Sequence, residues 1–359
     1  MRRNAQPKAE LAPGQSEALL RELHLVSRDG KLHADSLRKL KQVNHLAQLL
    51  APALQDVAER HPRAQLLDAG AGNAYLGFVI YELFLKTGEA ELWSVETRAE
   101  LVARAQERAQ RLGFGRMRFV AQTLREAAAS GPASATVSAG ASATESVSAS
   151  VSASVSASVS ASVSASVSAS ESVSASASAP ASAAIPARLH LVTALHACDT
   201  ATDDAIALAI RRRADHVAVV PCCQAEVAAQ LKELATAQRA PGARPATEPW
   251  PQLWAHALHR REFGAHLTNV IRALVLEAHG YQVTVTELTG WEHSLKNELI
   301  LGRRVHQEHR GARARLQALL ASTGVRPQLV RELLPGLLPG APVEAIDGDG
   351  PPPLDGAGW

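Results

Sequence analysis

The chain has 359 residues, enough for one large or two small domains, and a formal net charge of +2. A net charge this small argues against a strong attraction of nucleic acids by the protein as a whole, but it permits a local basic patch. The three cysteines, two of them adjacent, fit no disulfide framework and indicate a reducing compartment. The sequence contains no apolar run of the ~20 residues that cross a bilayer and no apolar core behind its basic N-terminus, so we expect a soluble, cytoplasmic protein.

Residues 18–60 are predicted to be helical, because apolar side chains recur there at helical spacing. We expect this segment to cover one face of a sheet, and we assign residues 1–62 to an N-terminal helical extension. The apolar stripe consists of Leu37, Leu40, Val43, Leu46, Leu50, Leu54 and Val57.

The next unit holds the residues that point most clearly to a ligand. A predicted strand over 64–68 is followed by Gly70, Gly72 and a helix. Glycines let the backbone turn sharply and approach a ligand closely, since no Cβ blocks the way. A second predicted strand over 91–95 ends at Glu96. An acidic residue at that position can accept both ribose hydroxyl hydrogens of a nucleotide cofactor.

Two cofactor families use this arrangement, and the residues around the glycines separate them. Dinucleotide-binding folds prefer a small third residue in G-x-G-x-x-G/A, where this chain has the bulky Tyr75. A carboxylate, Asp68, stands two residues before the first glycine. The combination resembles the nucleotide-binding motif of class I S-adenosylmethionine-dependent methyltransferases. This resemblance implies S-adenosylmethionine as the cofactor, with Asp68, Gly70, Gly72 and Glu96 at its site.

The remaining predicted elements continue the alternation of strands and helices. Alternating β and α elements favour a parallel sheet with helices on both faces, and a closing hairpin adds one antiparallel strand. The resemblance implies the same α/β plan, a Rossmann-like, mostly parallel sheet of seven strands with an N-terminal helical cover. We predict further strands over 117–121, 189–195, 216–220, 281–288 and 297–301, and helices over 73–86, 98–112, 202–213, 224–236 and 253–279.

A repetitive segment interrupts this plan. Residues 131–184 are dominated by Val, Ser and Ala and bury too little apolar surface to offset the cost of ordering the backbone. We predict a disordered insertion, although the alternation of Val and Ser could instead favour strands and self-association. The methyltransferase domain would then span 63–304, followed by a C-terminal helix and a disordered Gly/Pro-rich tail over 305–359.

Three segments at predicted strand ends narrow the resemblance. They are A-L-H-A-C-D over 194–199, V-P-C-C over 220–223 and E-H-S-L-K-N over 292–297. Together with the glycine turn they resemble the methyltransferase-domain family that carries A-L-H-A-C and P-C-C segments. Its eukaryotic members are linked by homology to RNA or protein methylation. The chain departs from that pattern at Asp199, where many relatives have glycine, and this departure bears on the substrate.

Ligands of an open parallel sheet bind outside the carboxyl ends of its strands. Methyl transfer is an in-line displacement and needs a base only where the acceptor loses a proton. His196, at a strand tip, is the candidate base, with Asp199 to orient it; alternatively His196 is hydrogen-bonded within the strand-end turn. Gln122 would lie beside the adenine or serve only as a loop residue, and the resemblance adds Leu195 to the cofactor contacts.

The cysteines Cys198, Cys222 and Cys223 have three interpretations. They could pack as small buried side chains, shape the acceptor pocket, or form a metal site with His196. Adjacent cysteines chelate poorly, because a strand directs their side chains to opposite faces. We therefore place Cys222 and Cys223 in the acceptor pocket and assign no metal.

A loop before the last strand supplies three further candidates for substrate contact, His293, Lys296 and Asn297, which could instead only cap the loop. Arg260, Arg261 and Lys296 could meet phosphates if the substrate is RNA.

The sequence thus predicts a methyltransferase whose acceptor is unidentified, with RNA favoured over protein or small molecules. The alternative is a non-catalytic binding protein with a cofactor fold, which could hold a metal through His196, Cys198, Cys222 and Cys223. The sequence does not indicate the oligomeric state.

Overall fold

The computed structural model describes residues 13–26, 34–129, 184–195, 197–222, 224–238, 250–288 and 298–340. Nearly all of the predicted insertion over 131–184 lies outside these ranges, so its disorder and the domain boundaries stay predictions. Five predicted site residues also lie outside the described residues: His196, Cys223, His293, Lys296 and Asn297.

Seven strands in the described part of the chain form one sheet. They are β1 Gln65–Ala69, β2 Glu91–Glu96, β3 Met117–Ala121, β4 Leu191–Leu195, β5 His216–Val220, β6 Tyr281–Glu287 and β7 Glu298–Arg304. Their order is β3-β2-β1-β4-β5-β7-β6. Neighbouring strands from β3 to β5 are parallel, and β7 pairs antiparallel with both β5 and β6. The predicted fold class, an α/β sheet of seven mostly parallel strands, is confirmed.

Helices cover both faces of this sheet, and each set packs on its own hydrophobic core. Buried side chains of α1 to α4 form one core with one face of the sheet, and those of α5 to α10 form the other. The helices are α1 Glu17–Glu22, α2 Ala34–Arg60, α3 Tyr75–Ile80, α4 Ala99–Leu112, α5 Leu124–Ala129, α6 Thr200–Arg211, α7 Glu226–Gln238, α8 Ala257–Ala278, α9 Arg310–Thr323 and α10 Gln328–Leu333.

The predicted helical cover corresponds to α1 and α2. The apolar stripe of α2 faces the sheet, with Leu40, Leu50 and Val57 all at most 1% exposed. A short π-helical turn, Tyr81–Leu85, continues α3. None of the described helices is both long and apolar enough to span a membrane.

The order of the strands creates a crevice at one edge of the sheet. β1 and β4 are neighbours, but the helices that follow them, α3 and α6, pack on opposite faces. The chain therefore leaves the carboxyl ends of these two strands in opposite directions. Such a switch point is where open α/β sheets bind their ligands.

Candidate cofactor site

The glycine turn after β1 has the backbone conformation that requires glycine. Gly70 has φ +63° and Gly72 has φ +57°, values that other residues adopt only with strain. A Cβ on Gly70 would lie 3.5 Å from the Cβ of Ala197, so the turn packs directly against the loop after β4. The turn and the loop that contains the predicted base are therefore neighbours at the crevice.

The acid at the end of β2 is joined to this turn. The backbone N–H of Gly72 donates to Oε2 of Glu96 over 2.7 Å, and Nε of Arg98 donates to Oε1 over 2.9 Å. Burial alone would raise the pKa of Glu96, but the hydrogen bonds from Arg98 and Gly72 outweigh it and lower the pKa to about 2. The carboxylate is thus a charged acceptor at neutral pH.

A cavity of about 450 Å³ opens beside Glu96, within the usual size range of small-molecule sites. Gln122, which follows β3, lies in its wall, and the Nε2 atom of this side chain is buried without a hydrogen-bond partner among the described residues. A buried donor without a partner is costly, which points to an acceptor on a ligand. The wall consists of Gly70, Val95, Glu96, Thr97, Arg98, Gln122, Thr123, Leu124, Ala197, Cys198, Thr200, Ala201 and Asp204.

Asp68, Gly72 and Leu195 were predicted as cofactor contacts, and none of the three lies in the cavity wall. Asp68 is only 2% exposed, and Thr193 Oγ1 donates to its Oδ1 over 3.4 Å. A Cβ on Gly77 would lie 3.2 Å from the other carboxylate oxygen, so the side chain packs against α3. Burial raises the pKa of Asp68 to about 7. Direct contact of Asp68 with a cofactor stays a prediction.

Asp199 joins the two strand tips on the other side of the crevice. Its Oδ1 accepts hydrogen bonds from the backbone N–H groups of Ala225 and Glu226, at 2.9 and 3.4 Å, at the start of α7. Its own backbone has φ +49° and ψ −121°, a conformation suited to glycine. This geometry explains why relatives of the resembled family can carry glycine here. Orientation of His196 by Asp199 stays a prediction, since His196 lies outside the described residues.

The cysteines after β4 and β5 come together. Sγ of Cys198 lies 3.4 Å from Sγ of Cys222, and Cys198 also lines the cavity. Two of the three predicted cysteines are therefore at the cofactor edge, and Cys223 follows them outside the described residues. The three loop residues predicted to contact the substrate, His293, Lys296 and Asn297, lie outside the described residues.

Sequence analysis missed a cluster at the opposite edge of the sheet. His61, His190 and Asp215 could together offer a metal three ligand atoms, and His61 Nε2 lies 3.3 Å from an oxygen of Asp215. However, Nδ1 of His190 accepts a hydrogen bond from the backbone N–H of Gln65, so the neutral ring carries its proton on Nε2. A metal-bound histidine has the reverse pattern, in which its other nitrogen donates. The cluster lies just before β4 and β5, and polar residues at strand starts were its sequence signal.

Comparison with known proteins identifies the family. A family model described as a methyltransferase domain matches residues 38–230, which is more than half of the chain. The chain belongs to the methyltransferase-domain family. Its sheet has the class I arrangement that the resemblance implied, and the match covers the glycine turn, Glu96 and both cysteine segments. No curated protein matches the sequence.

Several solved structures are similar to this chain at low sequence identity. The SAH-bound methyltransferase PaMTH1 from Podospora anserina is 11% identical, covers 82% of this chain and 90% of its own, and has a TM-score of 0.38. A methyltransferase from Geobacter sulfurreducens is 10% identical, with coverages of 83% and 93% and a TM-score of 0.35. An rRNA methylase from Streptococcus thermophilus is 8% identical, with coverages of 74% and 94% and a TM-score of 0.34.

Proposed function

We propose that this protein transfers a methyl group from S-adenosylmethionine to an acceptor. The observation that carries the proposal is the position of Glu96, an ionised carboxylate held by the N–H of Gly72 in the wall of a cavity at the switch point. The donor set also fits a nucleoside, because Gln122 offers a buried N–H group without a partner. The left-handed glycines allow the backbone to approach the ligand closely.

Glu96 and Gln122 would bind different parts of the cofactor. Oε1 of Glu96 already accepts from Arg98 and Thr97, whereas Oε2 accepts from Gly72 and keeps a lone pair for the ribose hydroxyls. Gln122 would donate to the adenine edge. When bound, S-adenosylmethionine supplies a methyl group on a positively charged sulfonium. The chain's contribution to that chemistry is mainly to align the acceptor.

We assign the acceptor half of the site to the loops after β4 and β5. Leu195 and Ala197, which flank His196 in the sequence, lie at the carboxyl edge of the sheet, and Ala197 packs on the glycine turn. On this ground we assign His196 as the base for an acceptor that carries a proton. Cys222, Cys223, His293, Lys296 and Asn297 would contact the acceptor. The A-L-H-A-C and P-C-C segments support the narrower family assignment.

Among acceptors we favour RNA. The resembled family includes relatives linked to RNA methylation, and the first turn of α8 carries basic side chains. Arg261 is exposed and pairs only with the equally exposed Glu262 in the described part of the chain, so its guanidinium can meet a phosphate. Arg260 donates to the carbonyl of Trp254 over 3.1 Å and keeps further N–H groups for a ligand.

Calorimetry with S-adenosylmethionine and S-adenosylhomocysteine tests the cofactor. We expect one site with micromolar affinity and no metal in the purified protein. Stoichiometric zinc without cofactor binding would overturn the proposal and favour a non-catalytic, metal-holding protein. Transfer of a tritiated methyl group into fractionated RNA, protein and small-molecule extracts tests the acceptor, and label confined to protein or small molecules would contradict RNA.

A further inference from the structure

Two cysteines stand side by side at the cofactor edge. Cys198 follows β4 and Cys222 follows β5, and these strands are parallel neighbours in which Leu195 pairs with Val220. Paired strands lie about 4.8 Å apart. The loops that carry the two cysteines therefore begin side by side. The two sulfur atoms are already only 3.4 Å apart.

The backbone around the cysteines is fixed by contacts of Asp199. Its carboxylate accepts from the backbone N–H groups that begin α7, so the loop of Cys198 is tied to the loop of Cys222. Its carbonyl accepts from Nη2 of Arg272 over 2.8 Å, and this guanidinium is 1% exposed and paired with Asp203. These contacts hold the loops of the two cysteines together, and the Arg272–Asp203 pair behind them is buried.

Cys198 is exposed and lines the cofactor cavity, whereas Cys222 is half-buried. A small oxidant can therefore reach Cys198 first. Any change at its sulfur also changes the wall of the cavity, which contains Glu96 and Gln122 on its other side.

We propose that Cys198 and Cys222 are a modification site, at which hydrogen peroxide forms a reversible disulfide that lowers the affinity for the cofactor. The Cys198 thiol loses its proton, and the thiolate attacks one peroxide oxygen. The O–O bond breaks, a sulfenic acid forms, and the departing hydroxide takes up a proton to give water. The Cys222 thiol then loses its proton, its thiolate attacks the sulfenic sulfur, and the hydroxide that leaves takes up a proton to give a second water. Two thiols are oxidised, one peroxide is reduced, and a dithiol reductant reverses the change. The S–S bond draws the sulfurs to about 2.0 Å, which pulls Cys198 out of its place in the wall.

The test compares the full-length protein before and after hydrogen peroxide, and after dithiothreitol. Peptide mapping reports which cysteines are linked, and calorimetry reports the affinity for S-adenosylhomocysteine. We expect a Cys198–Cys222 link, a mass lower by two hydrogens, and an affinity at least fivefold weaker that dithiothreitol restores. The matched variants are Cys198→Ser, which should lose the link and the response to peroxide, and Cys223→Ser, which should keep both.

The affinity part of this proposal rests on the proposed function, and the two can fail separately. Failure of the reduced protein to bind S-adenosylhomocysteine contradicts the proposed function, and the regulation with it, whatever the mapping shows. If the reduced protein binds the cofactor, three results would overturn the disulfide proposal alone. They are the absence of a Cys198–Cys222 link after peroxide, a link to Cys223 instead, and an unchanged affinity after the Cys198–Cys222 link has formed.

Discussion

The backbone amide of Gly72 and the carboxylate of Glu96 are joined by a 2.7 Å hydrogen bond, which connects the turn after β1 to the end of β2. This bond holds the side chain of Glu96, which lies in the wall of the cavity, against the glycine turn. It also shows that the glycine turn and the acid form one unit, although they are 24 residues apart in the sequence. Removing the carboxylate should therefore disturb both the ligand contact and the turn.

Glu96→Ala should weaken the binding of S-adenosylhomocysteine at least 30-fold. The change removes the charged acceptor for the ribose hydroxyls and leaves the Gly72 N–H without its partner, and hydrogen bonds to charged groups contribute about 1.5–3 kcal/mol each. Calorimetry measures the affinity. Glu100→Ala, an exposed acid in the first turn of α4, is the matched control and should bind as the wild type does. Equal affinities for the two variants would contradict a role of Glu96 in the site.

Asp68→Asn should stabilise the protein more at high pH than at low pH. The pKa of Asp68 is raised from 3.8 to about 7 in the folded state, mainly by burial. Between these values the folded state binds more protons than the unfolded state, so stability falls as Asp68 ionises with rising pH. Asparagine removes that loss, which is of order 2 kcal/mol between pH 5 and pH 8.

Urea unfolding at pH 5 and pH 8 gives the free energy of unfolding of the wild type and of Asp68→Asn. The prediction is tested by how much the difference between the two proteins changes from pH 5 to pH 8. Contributions from all other titrating groups cancel in that comparison. A free-energy difference between the two proteins that does not change with pH would show that Asp68 has an ordinary pKa in the folded protein.

Gly77→Ala should destabilise the fold and weaken cofactor binding. A Cβ at this position would lie 3.2 Å from Asp68 Oδ2 and 3.2 Å from Leu92 Cδ2, so α3 would have to move away from the strands. Overpacking of this kind costs about 1–3 kcal/mol. Gly115→Ala is the control, since a Cβ there meets nothing within 4 Å. Chemical denaturation should show a loss of stability for the first variant only.

Arg272→Ala should destabilise the protein by about 3–5 kcal/mol, because it leaves the buried Asp203 carboxylate without its partner. Arg272 is 1% exposed, and its Nε donates to Asp203 over 2.7 Å. Arg211→Ala is the matched control, since that ion pair with Glu332 lies at the surface and contributes about 0–1 kcal/mol. Similar losses in urea unfolding would mean that the buried network contributes no more than a surface pair.

Excision of residues 133–182, with a short Gly/Ser linker in their place, should leave the affinity for S-adenosylhomocysteine within a few-fold. The cavity wall consists of residues outside this segment. Calorimetry of the shortened and full-length proteins makes the comparison. A much weaker affinity would show that the insertion contributes to the fold or to the site.

Much of the fold followed from periodicity and from the glycine turn. Strands β3 and β5 match their predicted bounds, because each is a short, mostly apolar run that lies between polar residues or ends at a proline. The helix predicted over 253–279 begins instead at Ala257. Trp254 belongs to a short 3₁₀ turn and packs on Phe263 with ring centroids 5.4 Å apart. Its apolar side chain therefore matches the helical spacing although the residue lies outside the α-helix.

The positions of Glu96 and Gln122 at the cavity were predictable, because Glu96 ends β2 and Gln122 directly follows β3. The burial of Asp68 was not predictable, because β1 is buried on both faces and alternation along the strand does not show which way the carboxylate points. The hydrogen bonds between Asp199 and the start of α7 could not be predicted for another reason. They depend on a positive φ at a residue other than glycine, which the sequence pattern does not indicate.

The described residues that line the cavity all fall between Gly70 and Asp204, whereas β6, β7 and α8 to α10 come later in the chain. Under the proposed function, the cavity-lining contacts to the nucleoside therefore lie before residue 205, whereas the acceptor contacts proposed for α8 and for the loop before β7 come later in the chain. We expect substitutions in that later stretch to alter the acceptor while they leave the cofactor contacts in place.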